Sequence, residues 1–385
     1  MLNGQKKDLG LYIHIPFCVR KCDYCDFLSA PADEDTKNKY VKALIAEIKS
    51  YKLIGAEYLV KTIFIGGGTP SSLEGEAVAD IMKAVRKVFT ISDVEEDKTE
   101  ITIEVNPGTI SREKLYIYKS AGINRLSFGL QSVDNRELRL LGRIHTYETF
   151  EDNYKLAREL GFLNINIDLM SGLPGQTLKE WLKTLEKVIA LRPEHISAYS
   201  LMIEEETPFY DRYGEGELDE ELDREIYAKT KKYLEDAGYN RYEISNFAKE
   251  GFACRHNTAY WTGKEYLGLG LGASSLLKHM RFHNEENMAS YLILSKKYMD
   301  IRKEAKRLTR KEQMEEFMFL GLRMCAGVRK DEFNRRFGQS IQAIYGDIIK
   351  RSETEGLLKE KMGKLYLTDK GIDVSNMVMS RFLLD

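Results

Sequence analysis

Between residues 11 and 201, short runs of β-branched and apolar residues alternate with longer amphipathic stretches. The short runs predict strands at 11–15, 62–66, 100–105, 125–129, 164–170 and 195–201. Between them, apolar positions recur every three or four residues over 36–53, 76–88, 112–120, 147–160 and 178–190, the spacing of helices with one buried face. Strand and helix in strict alternation predict βαβ units around a parallel sheet. Six units suggest a partial (β/α)6 barrel of the TIM type, and a flat doubly wound sheet shares the same periodicity. Polar or glycine-rich residues follow each strand: His14-Ile15-Pro16, Gly66 to Pro70, Glu104 to Pro107, Gln131-Ser132, Asp168 and Tyr199-Ser200. In a parallel barrel those ends share one face, where active sites are built.

After residue 201 the pattern changes. An acidic helix is predicted at 219–237, followed by segments 242–247 and 254–261 and a glycine-rich run at 266–273. Residues 286–307 are dense in Lys and Arg and read most simply as a solvated helix and linker. From 308 onward a helix-rich tail carries its own apolar faces at 314–324 and 341–349, then a short ribbon and a last helix, a winged-helix-like order. The expected organisation is α/β: a barrel core with its extension over 1–285, a charged connector over 286–307, and a C-terminal helical, winged-helix-like domain over 308–385.

Composition narrows the picture. Length alone, 385 residues, suggests about two or three domains. With 58 Lys+Arg against 60 Asp+Glu, the net charge of −2 gives no reason to expect nucleic-acid binding or adhesion to an anionic membrane. No apolar run approaches the ~20 residues of a membrane span, and MLNGQKKDLG lacks the apolar stretch of an export leader. A cytoplasmic location is therefore expected, with thiols kept reduced.

Five cysteines then need another explanation. Cys18, Cys22 and Cys25 stand in a C-x-x-x-C-x-x-C loop after the first strand, whereas Cys254 and Cys325 stand alone. Three thiolates on a short loop can ligate three irons of a [4Fe–4S] cube and leave the fourth iron open. Structural zinc would want four closed ligands, which Cys254 or His256 could complete.

The segment YIHIPFCVRKCDYC resembles the cluster loop of the radical S-adenosylmethionine (SAM) enzymes, in the branch of oxygen-independent coproporphyrinogen III oxidase. The resemblance continues through IFIGGGTPS, ITIEVNPGT, RLSFGLQS, LGRIH, NINIDLMSGLPGQT and HISAYSL, across essentially the whole barrel. It implies a radical-SAM barrel with a [4Fe–4S] cluster on Cys18, Cys22 and Cys25. SAM would chelate the open iron, and one electron from an electron donor would cleave it to methionine and a 5′-deoxyadenosyl radical. The same resemblance implies Tyr12 beside cluster and SAM and Tyr24 near the adenine. It places Gly66, Gly67, Gly68 and Thr69 against the methionyl group, Glu104 on the ribose or methionyl end, and Gln131, Arg143 and Asp168 in the same cavity.

Two places separate the oxidase from its relatives. The oxidase carries a fourth cysteine two positions after the third, where this chain has Phe27. And His256-Asn257-Thr258-Ala259-Tyr260-Trp261 resembles H-N-x-x-Y-W, a motif of the HemW group, whose members are regarded as haem chaperones. That resemblance implies haem as cargo, with Tyr260 and Trp261 offering flat aromatic surface, Asn257 beside them, and His256 as the iron ligand, Cys254 ranking second. The implied partner is a recipient respiratory haem protein at the membrane, which the chain would meet peripherally. The competing expectation is a radical enzyme that decarboxylates coproporphyrinogen III or opens the haem ring.

Overall fold

The computed structural model describes residues 6–94, 97–214 and 219–384. The first five residues of the opening stretch, and residue 385 of the expected last domain, lie outside the described residues. The strands are β1 Lys7–Ile15, β2 Tyr58–Gly67, β3 Thr90–Ile91, β4 Glu100–Val105, β5 Arg125–Gln131, β6 Ile165–Ser171, β7 His195–Ser200, β8 Asn240–Arg241, β9 Asn246–Ala248, β10 Tyr266–Leu269, β11 Ser274–Leu277, β12 Met280–Asn284, β13 Arg302–Arg307, β14 Val328–Arg329, β15 Leu358–Lys361 and β16 Lys364–Leu367.

The six expected strands pair in parallel in the order β1-β2-β4-β5-β6-β7. The glycine-rich run adds β10 in parallel beside β1, and β9 closes the other flank antiparallel to β7. The hydrogen-bonded path has two ends, β13 and β8, so the sheet curves as a partial (β/α)6 barrel. Helices fill the crossovers where the sequence placed them, and their starts are chemically marked. Thr177 and Glu180 form a capping box for helix Leu178–Ala190, and Asp219 accepts from Leu222 N at the head of helix Glu220–Asp236.

Alternation along the strands decides what the barrel contains, because successive side chains face opposite sides of the sheet. On β5, Leu126, Phe128 and Leu130 are buried in the outer apolar layer, and on β6 Ile165, Ile167 and Leu169 do the same. The intervening residues Arg125, Ser127, Asn166, Asp168, His195, Ser197 and Tyr199 line an interior cavity instead. Barrels of this type usually fill their interior with Val, Ile and Leu. Here the inward positions are polar or aromatic, and the interior is left hollow.

Residues 286–307 correct the reading from charge. Helix Met288–Leu294 buries Tyr291, whose hydroxyl bonds Glu47 on the first barrel helix. Residues Arg302–Arg307 form β13, an edge strand paired with β12. Charged side chains on an exposed edge blunt unwanted strand pairing, so the charge density that looked like a linker belongs to a sheet margin. Beyond it, helices Arg310–Gly321, Lys330–Phe337 and Ile341–Thr354 enclose a separate apolar cluster, including Met318, Phe333, Tyr345 and Phe382, against the small sheet β14-β16-β15. Tyr227 and Ile244 of the barrel extension pack onto that cluster. Among the described residues, no helix is long and apolar enough to cross a membrane.

Candidate functional site

The loop after β1 is pinned at its base before it presents its thiols. Cys18 N donates to Ala30 O at 3.2 Å and Ala30 N to Pro16 O at 3.0 Å. Cys18, Cys22 and Cys25 are all free of disulfides and line one chamber of about 470 Å³ with Tyr24, Gly67, Gly68, Thr69, Glu104, Gln131, Arg143 and Asp168. The sequence-predicted set is therefore largely brought together.

Local geometry explains several residue types in this wall. Gly67 has φ +120°, and a Cβ there would lie 2.7 Å from the His14 ring. A Cβ on Gly68 would lie 2.6 Å from Phe17 O, so only glycine lets the backbone pass. Gly67 N donates to Glu104 Oε2 at 3.1 Å. Asn106 Nδ2 donates to Thr69 Oγ1 at 2.8 Å, and Arg143 Nη2 to Asn106 Oδ1 at 2.8 Å. Arg143 also reaches Cys22 Sγ with Nη1 at 3.4 Å, while its Nε is buried without a partner among the described residues. Gln131, at a bulge where the β5–β6 register shifts, holds φ 74°, a strained value for a side-chain-bearing residue.

These features fit an iron–sulfur cluster with a cofactor bound beside it. Burial pushes the Cys18 and Cys25 thiols above their ordinary value, so only a nearby cationic centre would hold them as thiolates. Among the described residues, no three His, Cys, Asp or Glu side chains converge closely enough to hold a single metal ion. A cube has no such requirement, since each corner iron takes its own thiolate. Cys254 does not complete a four-ligand set: it is buried with Sγ 3.7 Å from Glu100 Oε1, at the opposite end of the strands.

A second chamber of about 590 Å³ lies further inside the barrel, lined by Tyr12, Phe64, Arg125, His195, His256, Asn257, Tyr260, Trp261 and Tyr266. Glu104, Ser127, Asp168 and Tyr199 line both chambers and form their common wall. Burial, and secondarily the charge of Asp168, raises the Glu104 carboxyl to about 8. Asp168 is raised too, chiefly by burial, despite accepting from Asn166 Nδ2 at 2.8 Å and Ser127 Oγ at 3.1 Å.

The H-N-x-x-Y-W segment forms helix Arg255–Trp261, anchored by Glu100, whose two oxygens accept from Arg255 N and His256 N at 3.1 Å each. His256 itself corrects an expectation. Its Nδ1 is bonded to Thr62 Oγ1 at 2.8 Å and its Nε2 to Tyr260 OH at 2.9 Å, and its ring stacks on Phe64. Burial, with the charge of Arg125, lowers it to about 3. Both nitrogens are spent inside the wall, so His256 offers no free lone pair to an iron. Cys254, the second choice, is committed to Glu100. Trp261 presents a buried Nε1 without a partner among the described residues and carries the Arg323 guanidinium 4.3 Å over its ring.

Two further placements depart from the sequence reading. Tyr12 faces the second chamber rather than the thiol chamber, its hydroxyl 3.0 Å from His14 Nδ1. Gly66 lines neither chamber and backs onto Glu104. Phe27, where the oxidase carries cysteine, stands on the thiol-chamber rim with 62% of its surface exposed. Sequence reasoning missed Arg125, Asn166, His195 and Ser197, and passed over Asn106. The available signal was the polar residue at every second position of otherwise apolar strands.

Residues 12–188 match the radical SAM superfamily, and residues 308–374 match the HemN C-terminal domain. The chain is 38% identical to "Heme chaperone HemW" of Bacillus subtilis (strain 168), over 97% of this chain and 98% of that one. It is 42% identical to "Heme chaperone HemW" of Escherichia coli (strain K12), over 69% of each. Its fold superposes on the coproporphyrinogen III oxidase (HemN) of Escherichia coli, a radical SAM enzyme, with a TM-score of 0.86 at 24% identity, covering 98% of this chain and 90% of that one. Membership of the superfamily carries a [4Fe–4S] cluster and SAM as cofactors. The chain belongs to the HemW family, within the radical SAM superfamily.

Proposed function

We propose that the protein is a haem chaperone that holds haem in the aromatic chamber and hands it to a recipient haem protein. The observation that carries this reading is the pair of chambers meeting at Glu104, Asp168 and Tyr199. One has thiols and a glycine-lined backbone; the other has flat aromatic faces and a volume within the ~300–1,000 Å³ of small-molecule sites. In this reading Cys18, Cys22 and Cys25 hold the cluster. Tyr24, Gly67 to Thr69, Glu104, Gln131, Arg143 and Asp168 hold SAM, with Gly66 behind Glu104 and Tyr12 on the haem side of the common wall. Tyr260, Trp261 and Asn257 hold the macrocycle, and His256 positions Tyr260 rather than ligating iron. SAM bound to a reduced cluster supplies a carbon radical when it is cleaved. This chain's contribution is to bind and orient: the Gly67 amide fixes Glu104, Arg143 ties Asn106 to the cysteine loop, and the buried wall keeps water out. We place the protein in the cytoplasm, meeting its recipient at the membrane surface.

The shared wall also favours a second reading, a radical enzyme acting on the porphyrin itself. One experiment separates the two. Anaerobic, cluster-reconstituted protein is loaded with isotopically labelled haem and given an acceptor apoprotein. The chaperone reading expects label in the acceptor with the macrocycle's mass unchanged; decarboxylated or ring-opened product in proportion to SAM consumed would overturn it.

A further inference from the structure

Arg125 opens β5 and points into the hollow of the barrel, on the floor of the aromatic chamber. It is 1% exposed, and its Nε and Nη1 are buried with no hydrogen-bond partner among the described residues. Among the described residues no ion pair engages it; burial works against its charge, and acidic groups nearby, Glu100 and Asp168 among them, more than offset this and keep it cationic without contacting it. Both carboxylates are committed elsewhere. Glu100 accepts from the amides of Arg255 and His256 at 3.1 Å, and Asp168 from Asn166 and Ser127 at 2.8 and 3.1 Å. The imidazoles on the same wall carry no compensating charge. His195 is bonded through Nδ1 to Asn166 at 2.6 Å and through Nε2 to Tyr242 at 2.8 Å, and His256 is held as described.

A guanidinium with idle donors in a low-dielectric cavity is costly unless something pairs with it. Guanidinium's planar fork suits a carboxylate better than any neutral acceptor. Among the described residues lining this chamber, the other permanent cations are Lys264, which is exposed to solvent, and Arg281, which is already paired with Glu316 at 2.7 Å. We propose that Arg125 is the carboxylate receptor of the aromatic chamber, binding one propionate of the tetrapyrrole so that the macrocycle enters edge-first with an acid group leading. The inference rests on the haem-binding reading and adds to it what fixes the cargo's orientation. It also gives the barrel's polar lumen a purpose that the apolar interior of an ordinary barrel could not serve.

The test compares haem with its dimethyl ester, which keeps the ring and iron but removes both carboxylates. Both are titrated into full-length protein and into Arg125→Gln and Arg125→Met, with binding read from the Soret band and from tryptophan quenching. Wild type should favour haem over the ester by roughly ten- to hundredfold, the size of a charge-assisted hydrogen-bonded pair. Both variants should bind haem about as weakly as wild type binds the ester, with no further loss for the ester. Equal affinity of wild type for haem and ester, with haem itself bound tightly, would overturn the proposal and leave the haem reading standing. Failure of wild type to bind either compound would overturn the haem reading first, and the proposal with it. Thermal melting of ligand-free protein gives an independent readout. A receptor freed of its unpaired charge in Arg125→Met should melt at the wild-type temperature or above. A fall of several degrees would assign Arg125 a structural role instead and overturn the proposal.

Discussion

The two chambers of the barrel are built by opposite means. The outer one is made of loops: three thiols on the stretch after β1, a glycine passage after β2, and side chains from the ends of β4, β5 and β6. The inner one is made mainly of strands and one helix, its walls supplied by residues of β1, β2, β4, β5, β6 and β7, by β10 and β11, and by the face of Arg255–Trp261. Where strands end and loops begin, the backbone can take on special shapes, as at Gly67 and Gln131, the last residues of β2 and β5, whereas residues within a strand are fixed by the pleat and vary only in side chain. The outer chamber is thus specified by local motifs, and the inner one by a pattern distributed over the whole barrel.

The largest effect should come from breaking the outer chamber alone. Replacing Cys18, Cys22 or Cys25 with Ala should remove nearly all cluster iron and acid-labile sulfide, because each corner iron loses its only protein ligand. Haem binding in the inner chamber should persist within about twofold, since no thiol lines it. Iron and sulfide analysis beside a haem titration reads both. Retention of full iron in all three variants would refute the ligand assignment, and loss of haem binding would refute the independence of the chambers.

His256→Ala probes the inner chamber. It removes hydrogen bonds to the buried Thr62 hydroxyl and the half-buried Tyr260 hydroxyl, a cost of about 1–3 kcal/mol. Melting should fall by a few degrees or more while the Soret position stays that of wild type. A shifted Soret band at unchanged stability would return His256 to the role of iron ligand.

How much of this was legible in the sequence follows from the same contrast. The six parallel strands were readable because their outward residues, such as Leu126, Phe128, Ile165 and Ile167, place large apolar side chains at every second position of short segments between amphipathic helices. The thiol loop and glycine passage were readable because their spacing is local. Strand β10 was not, since Tyr266-Leu-Gly-Leu is short, carries a glycine of weak strand preference and gains its place by pairing with β1. Nor was β13, whose RKEAKR reads as solvent-exposed and is an edge strand only because β12 lies beside it. Arg125 and Asn166 escaped notice for a different reason: a polar residue alternating with apolar ones ordinarily faces water, and only closure of the sheet around a hollow turns that face inward.

The common wall gives a subtler test. Glu104 is raised to about 8, first by burial and then by Asp168, so the folded protein holds its proton more tightly than the unfolded chain does. The stability it contributes is complete below about pH 4.5 and is lost as pH rises toward 8. Glu104→Gln keeps an acceptor for Gly67 N and cannot ionise. In cluster-free protein the variant should melt several degrees above wild type at pH 8 and nearly level with it at pH 5. Equal differences at the two pH values would show that Glu104 is ionised in the folded wall.

The smallest effect tests whether the inner chamber ends within the barrel. Arg323, just beyond helix Arg310–Gly321 of the C-terminal module, lies over the Trp261 ring at 4.3 Å and approaches Glu243 at 3.6 Å. A cation over an indole contributes about 0.5–2 kcal/mol, depending on desolvation. Arg323→Met keeps the aliphatic cover and removes the charge, so Trp261 should gain freedom to turn within the chamber wall. Haem should bind about two- to threefold more weakly, with faster release, while cluster iron is untouched. Stopped-flow haem release, followed by tryptophan fluorescence, resolves a change of that size. An unaltered release rate would mean the C-terminal module only covers the chamber; a faster one would mean that its position sets how long the chamber keeps its cargo.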